Sequence, residues 1–286
     1  MKSLLKKASK VFFRQTLWSL YMAERYGYNR VRLPNKDEVF NAPSGRELSV
    51  NEILASVIDN GYAVIPDFYE PEYVDTISRN LLSLNQEVLT PAIPKESEIK
   101  MKGNGLFWDK LTWSDVLRKE GIIRINHVDK RMPAALRFAN EPLFSHIGNL
   151  YYGVPTFRMV TISQFNEPSP VGCRGYHIDA TINQFKAFLY LTDVTEENGP
   201  FCIVPGSHRV TWNNMKRIRR CLSKNKTSIT DEEVAASGYD PKHLIGKKGT
   251  VVLADTRAIH QGTDLMRGYR SALVNYYYLK EDFRRP

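Results

Sequence analysis

Five runs of β-branched and aromatic residues in the second half of the chain limit the folds that it can adopt. Each run is bounded by glycine, proline, asparagine or aspartate, which is typical of strands that end in tight turns. Helical patterns come before these strands and do not alternate with them, which argues against βαβ units. The order favours an antiparallel β core, a sandwich or a barrel, with a helical N-terminal portion packed on it. The runs are Arg158–Phe165, Phe185–Leu191, Pro200–Val204, Thr250–Ala254 and Ser271–Tyr278.

The N-terminal half contains three helical patterns and one short buried strand. Ser49 is suited to cap a helix, because apolar residues recur at helical spacing directly after it. Neither an internal repeat nor a Pro/Gly-rich linker interrupts the chain, so its 286 residues predict one folded domain. The predicted elements are a helix from Val50, a strand at Gly61–Pro66, and helices at Glu70–Leu84 and Glu141–Gly153, whereas residues 91–135 show no clear pattern.

The chain is basic, with 40 Lys and Arg against 31 Asp and Glu and a formal net charge of +9. Such a balance is compatible with nucleic acid, an anionic membrane or an acidic substrate as partner. Residues 1–35 carry +7 and residues 209–248 carry +6, so the rest of the chain is mildly acidic. Nucleic acid is disfavoured, because no dedicated binding motif accompanies the charge.

Residues 1–30 show the pattern of a basic amphipathic helix, in which lysines and an arginine interrupt the apolar positions. We expect residues 1–48 to form a basic amphipathic N-terminal extension. Its apolar runs are too short for a signal peptide, and no run in the chain is long enough for a membrane span. The helix either packs on the domain or a partner subunit, or lies on an anionic membrane. Three cysteines without a C-x-x-C pair indicate a reducing compartment. The predicted location is therefore cytoplasmic, with peripheral contact at the inner face of a membrane as the further option.

Two of the six histidines lie where a metal site can be built. His177 and Asp179 are two residues apart, and in an extended segment their side chains point to the same face. His260 follows the strand Thr250–Ala254 and can bring a third ligand from a distant part of the chain. Two imidazoles and one carboxylate on one face of an ion leave three positions open, as in non-haem Fe(II) oxygenases. The alternative is that His177 is a turn histidine bonded to Asp179.

Arg270 opens the last strand, ten residues after His260, so its guanidinium can project into the same barrel mouth. Arginine is suited to bidentate capture of a carboxylate, and a 2-oxo acid that chelates iron needs such a partner at its far end. A surface ion pair is the other interpretation of Arg270, and Arg267 is a nearby competitor for the same role.

Four stretches of the sequence carry a resemblance to a known family. They are, in order, NGYAVIPDFYEPEYVDTISRNLL, YHID, LTDVTEENGPFCIVPGSHR and KGTVVLADTRAIHQGTDLMRGYRSALVNYYY. Together they span about residues 60–280, and the NGP…VPGSHR motif is the most specific part. The chain resembles the phytanoyl-CoA dioxygenase (PhyH) family of Fe(II)- and 2-oxoglutarate-dependent oxygenases. Residues 1–48 and 211–248 are not covered by the resemblance.

The resemblance implies a double-stranded β-helix (jelly-roll, cupin-like) fold, mainly β with flanking helices, over residues 49–286. It implies that His177, Asp179 and His260 are the iron ligands and that Arg270 binds the distal carboxylate of 2-oxoglutarate, whereas His208 in the PGSHR turn is structural. Relatives usually place a serine two residues after the distal histidine, and their arginine follows at eleven residues. Here Gly262 occupies the serine place, and a one-residue deletion would let Thr263 supply the hydroxyl.

The family likeness also implies a reaction. Halogenating relatives replace the carboxylate ligand by glycine or alanine, so an intact Asp179 predicts hydroxylation, with Fe(II) as cofactor and 2-oxoglutarate and O2 as cosubstrates. Desaturation, epimerisation or ring formation with the same cofactors remains an alternative. A second alternative is a non-catalytic module that binds a membrane surface and has kept the motif as scaffold.

A basic insert, residues 209–248, lies between two of the matched stretches and contains Lys216, Arg217, Arg219 and Arg220. In the family this connection lies near the mouth of the site. One interpretation is recognition of an anionic substrate, small or carrier-bound, such as a phosphate, a CoA ester or a phosphorylated glycolipid. The other is a solvated charged helix.

Overall fold

The computed structural model describes residues 33–89, 116–119, 121–169, 175–179, 182–209, 211–224 and 227–280. The predicted basic helix in residues 1–30 lies outside these ranges. Among the described residues, no helix is both long and apolar enough to cross a membrane. The strands are β1 Val39–Asn41, β2 Glu47–Ser49, β3 Tyr62–Ile65, β4 Val116–Lys119, β5 Ile122–Asn126, β6 Thr156–Asn166, β7 Gln184–Tyr190, β8 Phe201–Ile203, β9 Lys242–Leu244, β10 Val251–Asp255, β11 His260–Gly262 and β12 Arg270–Leu279.

Seven α-helices are described. They are α1 Val50–Asn60, α2 Pro71–Leu89, α3 Val128–Arg131, α4 Leu136–Ala139, α5 Pro142–Tyr152, α6 Trp212–Lys224 and α7 Asp231–Ala235, and a 3-10 turn at Pro133–Ala135 precedes α4. All six predicted strands, the five runs and Gly61–Pro66, are confirmed, as are the three helices predicted after Ser49. The segment without a clear pattern contains β4, β5, α3 and the 3-10 turn.

Ten of the strands form two antiparallel sheets that face each other, and β1 and β2 pair in a separate two-stranded sheet. The major sheet has seven strands in the order β3-β10-β7-β12-β6-β5-β4, and the minor sheet has three in the order β11-β8-β9. A shared cluster of buried side chains joins them, with Tyr190 and Val252 from the major sheet and Ile203 and Leu244 from the minor sheet. The predicted antiparallel core and jelly-roll fold are confirmed.

The N-terminal helices cover the other face of the major sheet. Phe185, Ala187 and Leu189 of β7 point into the same buried cluster as side chains of α1, α2 and α5. Because side chains alternate along a strand, Gln184, Lys186, Phe188 and Tyr190 point to the opposite face, toward the barrel interior. Burial on both faces explains why this strand shows as a nearly continuous apolar run in the sequence.

Capping residues fix helix α1 against the sheet. The Ser49 side chain accepts a hydrogen bond of 3.0 Å from the amide of Glu52, and Gly61 ends the helix in a left-handed conformation at φ 86°. A Cβ atom at Gly61 would lie 2.6 Å from Nδ1 of His208, so only glycine fits. The Nε2 atom of His208 bonds the carbonyl of Ile58 at 3.1 Å, which places this histidine against α1.

Candidate metal centre

His177 and His260 lie side by side because their backbones pair with each other. Each amide donates to the carbonyl of the other histidine at 2.9 Å, which adds the His177 segment to the minor sheet beside β11. The two imidazole rings lie 4.4 Å apart between centroids. Residues 227–229 of the basic insert pair with the other edge of this segment.

Asp179 completes a cluster of three potential metal ligands. One of its carboxylate oxygens lies 3.5 Å from Nε2 of His177, and the other lies 3.2 Å from Nε2 of His260. One ligand atom from each of the three residues falls within 4.8 Å of the others. The amide of Asp179 donates to the carbonyl of Thr256 at 3.2 Å, which ties the aspartate to the turn before His260. The structure thus brings together the three residues that the sequence singled out.

The hydrogen bonds of the two histidines suit them for metal binding. Nδ1 of His177 donates to the carbonyl of Gly175 and Nδ1 of His260 to that of Ala258, each at 2.8 Å. With the proton on Nδ1, the lone pair of each Nε2 faces Asp179, and metal-binding histidines are usually held in this way. Burial lowers the pKa of His177, which favours the neutral imidazole that a metal requires. This donor set fits a divalent iron ion.

Lys186 is a charged neighbour of this cluster, and no motif in the sequence singled it out. Its Nζ atom lies 2.5 Å from Oδ2 of Asp179 and 4.1 Å from the centroid of the Tyr276 ring. Burial alone would raise the pKa of Asp179, but Lys186 and then His260 outweigh it and hold this pKa well below its usual range. The signal in the sequence was a single lysine inside an otherwise apolar strand.

A buried ion pair braces the turn that carries His260. Arg257 and Asp255 are 1% and 0% exposed, and Nη2 of the arginine lies 2.5 Å from Oδ2 of the aspartate. Nη1 of Arg257 also donates to Oδ1 of Asn183 at 2.8 Å, and the Tyr151 hydroxyl donates to Asp255 at 2.8 Å. Because Asn183 follows Asp179 closely in the chain, this network connects the two segments that bear the metal ligands.

Arg270 points into the barrel, as the sequence predicts. It alternates in phase with Tyr276 on β12, and its Nη2 donates to Oδ1 of Asn166 at 3.2 Å. Arg267, in contrast, is exposed and forms an ion pair with Glu197 at the surface. Of the two arginines, Arg270 is therefore the one that lies inside the barrel.

Thr263 lines the same pocket as Arg270, and its hydroxyl bonds a backbone carbonyl. It donates to the carbonyl of Pro200 at 2.9 Å. A Cβ atom at Gly262 would instead lie 3.8 Å from Nη2 of Arg270. The glycine thus occupies the place next to the arginine, where relatives usually carry a serine.

Arg124 is a second inward-facing arginine that the sequence analysis missed. It lies on β5 opposite Gln164 of β6, and alternates with Ile123 and Ile125, which point into the core under the helices. Its Nε atom is buried, and within the described part of the chain it has no hydrogen-bond partner. A guanidinium with a free N–H group can donate a hydrogen bond to an anionic oxygen. The residue falls in the segment 91–135, whose elements the sequence did not define.

The basic insert packs on the outer face of the minor sheet. Ile218 and Cys221 of α6 contact a buried cluster that includes Ile178 and Ile259, the sequence neighbours of metal-site residues. Because neighbouring residues in a strand point to opposite faces, the sheet separates α6 from the metal cluster.

A cleft of about 630 Å³ lies between α6 and α7, and Lys216, Arg217 and Arg220 line it. Arg220 pairs with Glu233, whereas Arg217 donates to the carbonyl of Ser207 at 2.6 Å and to Asn214. Burial lowers the pKa of Arg217 to about 10. The cleft is thus lined by cationic side chains of different exposure, of which Arg217 is half-buried.

Comparison with known proteins agrees with the fold. The phytanoyl-CoA dioxygenase (PhyH) family model matches residues 58–264. The fold is similar to EctD from S. alaskensis, crystallised with 2-oxoglutarate and 5-hydroxyectoine, at 16% identity and a TM-score of 0.59 over 90% of this chain and 91% of that one. It is also similar to two 2-oxoglutarate-dependent enzymes of nogalamycin biosynthesis. The epimerase SnoN is 14% identical with a TM-score of 0.58, over 80% of this chain and 82% of that one. The carbocyclase SnoK is 18% identical with a TM-score of 0.56, over 79% of this chain and 82% of that one. No curated protein sequence matches this chain.

Proposed function

Because the chain belongs to the phytanoyl-CoA dioxygenase family of Fe(II)- and 2-oxoglutarate-dependent oxygenases, we propose that it hydroxylates an unactivated C–H bond of its substrate, with release of succinate and CO2. The cluster of His177, Asp179 and His260 carries the proposal, because it offers two imidazoles and one carboxylate on one side of a common centre. The retained carboxylate supports hydroxylation over halogenation, since halogenating relatives lack it.

The side chains have separate tasks in this proposal. His177, Asp179 and His260 would hold the iron, and Arg270 would bind the distal carboxylate of 2-oxoglutarate. When bound, iron and 2-oxoglutarate together supply the activation of O2 that breaks the C–H bond. The carbonyls of Gly175 and Ala258 keep the imidazoles oriented.

Apolar side chains line the barrel wall between the metal cluster and Arg270. Ile162 and Val274 belong to one buried cluster on the inner face of the major sheet, and Phe188 packs against it. Their role in the proposal is to exclude water and to position the reacting carbon, which protects a reactive centre from side reactions.

Turnover of 2-oxoglutarate tests the proposal directly. Purified protein with Fe(II) should convert 2-oxoglutarate to succinate, and His177→Ala should abolish this conversion. His243→Ala is the matched control, because this histidine is exposed and pairs with Glu196 at the surface. Normal succinate release by the His177 variant would disprove the site assignment. Mass analysis of the product separates hydroxylation from desaturation, epimerisation and ring formation.

We further propose that the substrate is anionic, small or carrier-bound, and the basic cleft beside α6 supports this. Its basic lining includes Lys216, and the side chain of Trp212, 68% exposed, lies under this lysine. Because the sheet separates the cleft from the metal cluster, the anionic group held there would be remote from the reacting carbon. Succinate release in the presence of phosphate esters, acyl-CoA thioesters and carboxylates should identify the class. Lys216→Glu should then raise KM for the active compound, and an unchanged KM would remove the cleft from the proposal.

The basic segment 1–30 supports a peripheral membrane contact in the same proposal, with the protein otherwise in the cytoplasm. Cosedimentation with vesicles of phosphatidylserine and phosphatidylcholine tests this contact. The full chain should bind, binding should fall with salt, and deletion of residues 1–30 should abolish it. Equal binding of both proteins would locate the contact elsewhere, and no binding would favour packing of the segment on the domain or a partner subunit.

A further inference from the structure

We infer that Lys186 is a positioning residue of the metal centre, which occupies one oxygen of Asp179 so that the carboxylate offers a metal ion only the other. The inference rests on the proposed function, because it concerns how the same site holds its metal and its 2-oxo acid. It adds a residue from the major sheet to a cluster whose other members belong to the minor-sheet side of the barrel.

The contacts of the Asp179 carboxylate divide its two oxygens between different partners. Oδ2 lies 2.5 Å from Nζ of Lys186, whereas Oδ1 faces Nε2 of His177 at 3.5 Å. Nε2 of His260 approaches Oδ2 from the other side, at 3.2 Å. An ammonium at this distance forms a charge-assisted hydrogen bond, which is stronger than one between neutral groups. Of the two oxygens, Oδ1 is thus the one that faces a ligand histidine and has no contact with the ammonium.

The position of Lys186 is fixed by the sheet. Its side chain is 7% exposed, and it stands directly opposite Tyr276 in the register of β7 and β12. The Tyr276 ring lies against the ammonium, which limits the directions that the lysine can take. A buried ammonium requires a charged or aromatic partner, and Asp179 and Tyr276 supply both.

The number of ligands explains why one free carboxylate oxygen matters. Two imidazoles and one carboxylate oxygen occupy one face of an octahedral ion and leave three positions. A chelating 2-oxo acid would take two of these and leave one. If Asp179 bound through both oxygens, it would compete for one of the three. Lys186 prevents this competition by holding Oδ2.

Binding of 2-oxo acids to the metal-loaded protein tests the inference without turnover. Protein loaded with Co(II) is titrated with 2-oxoglutarate and with pyruvate, which has the chelating end but lacks the distal carboxylate. Lys186→Met should weaken both acids by the same factor, about tenfold or more. The Co(II) absorption spectrum should also change, because it reports the number of ligands. Arg270→Met should weaken only 2-oxoglutarate.

Lys242→Met is the matched control, because Lys242 lies at the same 2.5 Å from Asp240 but on the surface. It should bind both acids as the unaltered protein does. Lys186→Gln retains a hydrogen-bond donor and replaces the methionine variant if that protein does not fold. It should weaken both acids equally but by a smaller factor.

Two results would overturn the inference. One is a folded Lys186 variant with an unchanged Co(II) spectrum and unchanged affinity for both acids. The other is a loss confined to 2-oxoglutarate, which would make Lys186 a partner of the distal carboxylate. Failure of the unaltered protein to bind Co(II) or 2-oxoglutarate would instead refute the proposed function.

Discussion

Removal of the Arg257 guanidinium should destabilise the protein strongly, and a second substitution should restore part of the loss. Arg257 and Asp255 are almost completely buried, and the guanidinium reaches both oxygens of the aspartate through Nε at 3.0 Å. In Arg257→Leu the carboxylate keeps the Tyr151 hydroxyl and a backbone amide as donors, but its counter-charge is gone.

The magnitude follows from the burial of the charge that remains. Breaking a buried ion pair by removal of one partner costs about 3–5 kcal/mol. Because Asp255 retains two hydrogen-bond donors, we expect a loss near the lower limit, about 3 kcal/mol in the free energy of unfolding. Adding Asp255→Asn removes the stranded charge and keeps the shape of the side chain. The double variant should therefore be more stable than Arg257→Leu, by about 1–2 kcal/mol.

Urea unfolding of the metal-free proteins, followed by tryptophan fluorescence, measures both effects. Arg209→Leu is the control, because its pair with Asp59 is exposed at the surface, and it should change the stability little. A loss below about 1 kcal/mol for Arg257→Leu would show that the pair does not hold the structure together. A double variant no more stable than the single one would refute the argument from an uncompensated charge.

Three further predictions concern the site and its support. Metal binding should persist as the pH falls below about 6.5, the ordinary pKa of histidine. The reason is that burial lowers the pKa of His177, so this imidazole stays neutral to lower pH. A pH titration of Co(II) affinity checks this prediction. Gly61→Ala should lower the free energy of unfolding by more than about 1 kcal/mol, because the new methyl group would clash with His208. Gly45→Ala is the control, since Gly45 has a similar φ but open space around it, and this variant should cost only the backbone strain. Thermal melts measure both effects. Gly262→Ser adds a hydroxyl beside the Arg270 guanidinium, which we propose to bind the distal carboxylate of 2-oxoglutarate. The variant should lower the Kd of 2-oxoglutarate about fivefold, the effect of about 1 kcal/mol. An unchanged Kd by calorimetry would show that the hydroxyl does not reach the cosubstrate.

The metal cluster was predictable because its signal is local. His177 and Asp179 are two residues apart, and the spacing alone places both side chains on one face of an extended segment. His260 required a contact between distant parts of the chain, and the motif around it supplied what spacing could not. The strands were predictable for a similar reason, since β-branched and aromatic runs bounded by turn residues are a property of each segment by itself.

Lys186 and Arg124 could not be predicted, because their roles depend on which face of a strand becomes the barrel interior. Both faces of β7 are buried, so its sequence does not distinguish the side that meets the helices from the side that meets the metal. Arg124 lies in a segment whose strands are defined only by pairing with β6. In both cases the position follows from the register of the sheet.

The two sheets contribute different chemistry to the same cavity. The minor-sheet side carries the imidazoles and the carboxylate, whereas the major sheet carries Lys186, Arg124 and Arg270 on its inner face. Groups of opposite charge thus approach each other only when the sheets pack, so the site cannot form before the core between them does. The ion pair of Arg257 and Asp255 also links the two sheets, because it fixes the turn through which the chain passes from the major sheet into the minor one. A substitution in this ion pair should therefore disturb metal binding as well as stability, although it touches none of the three ligands.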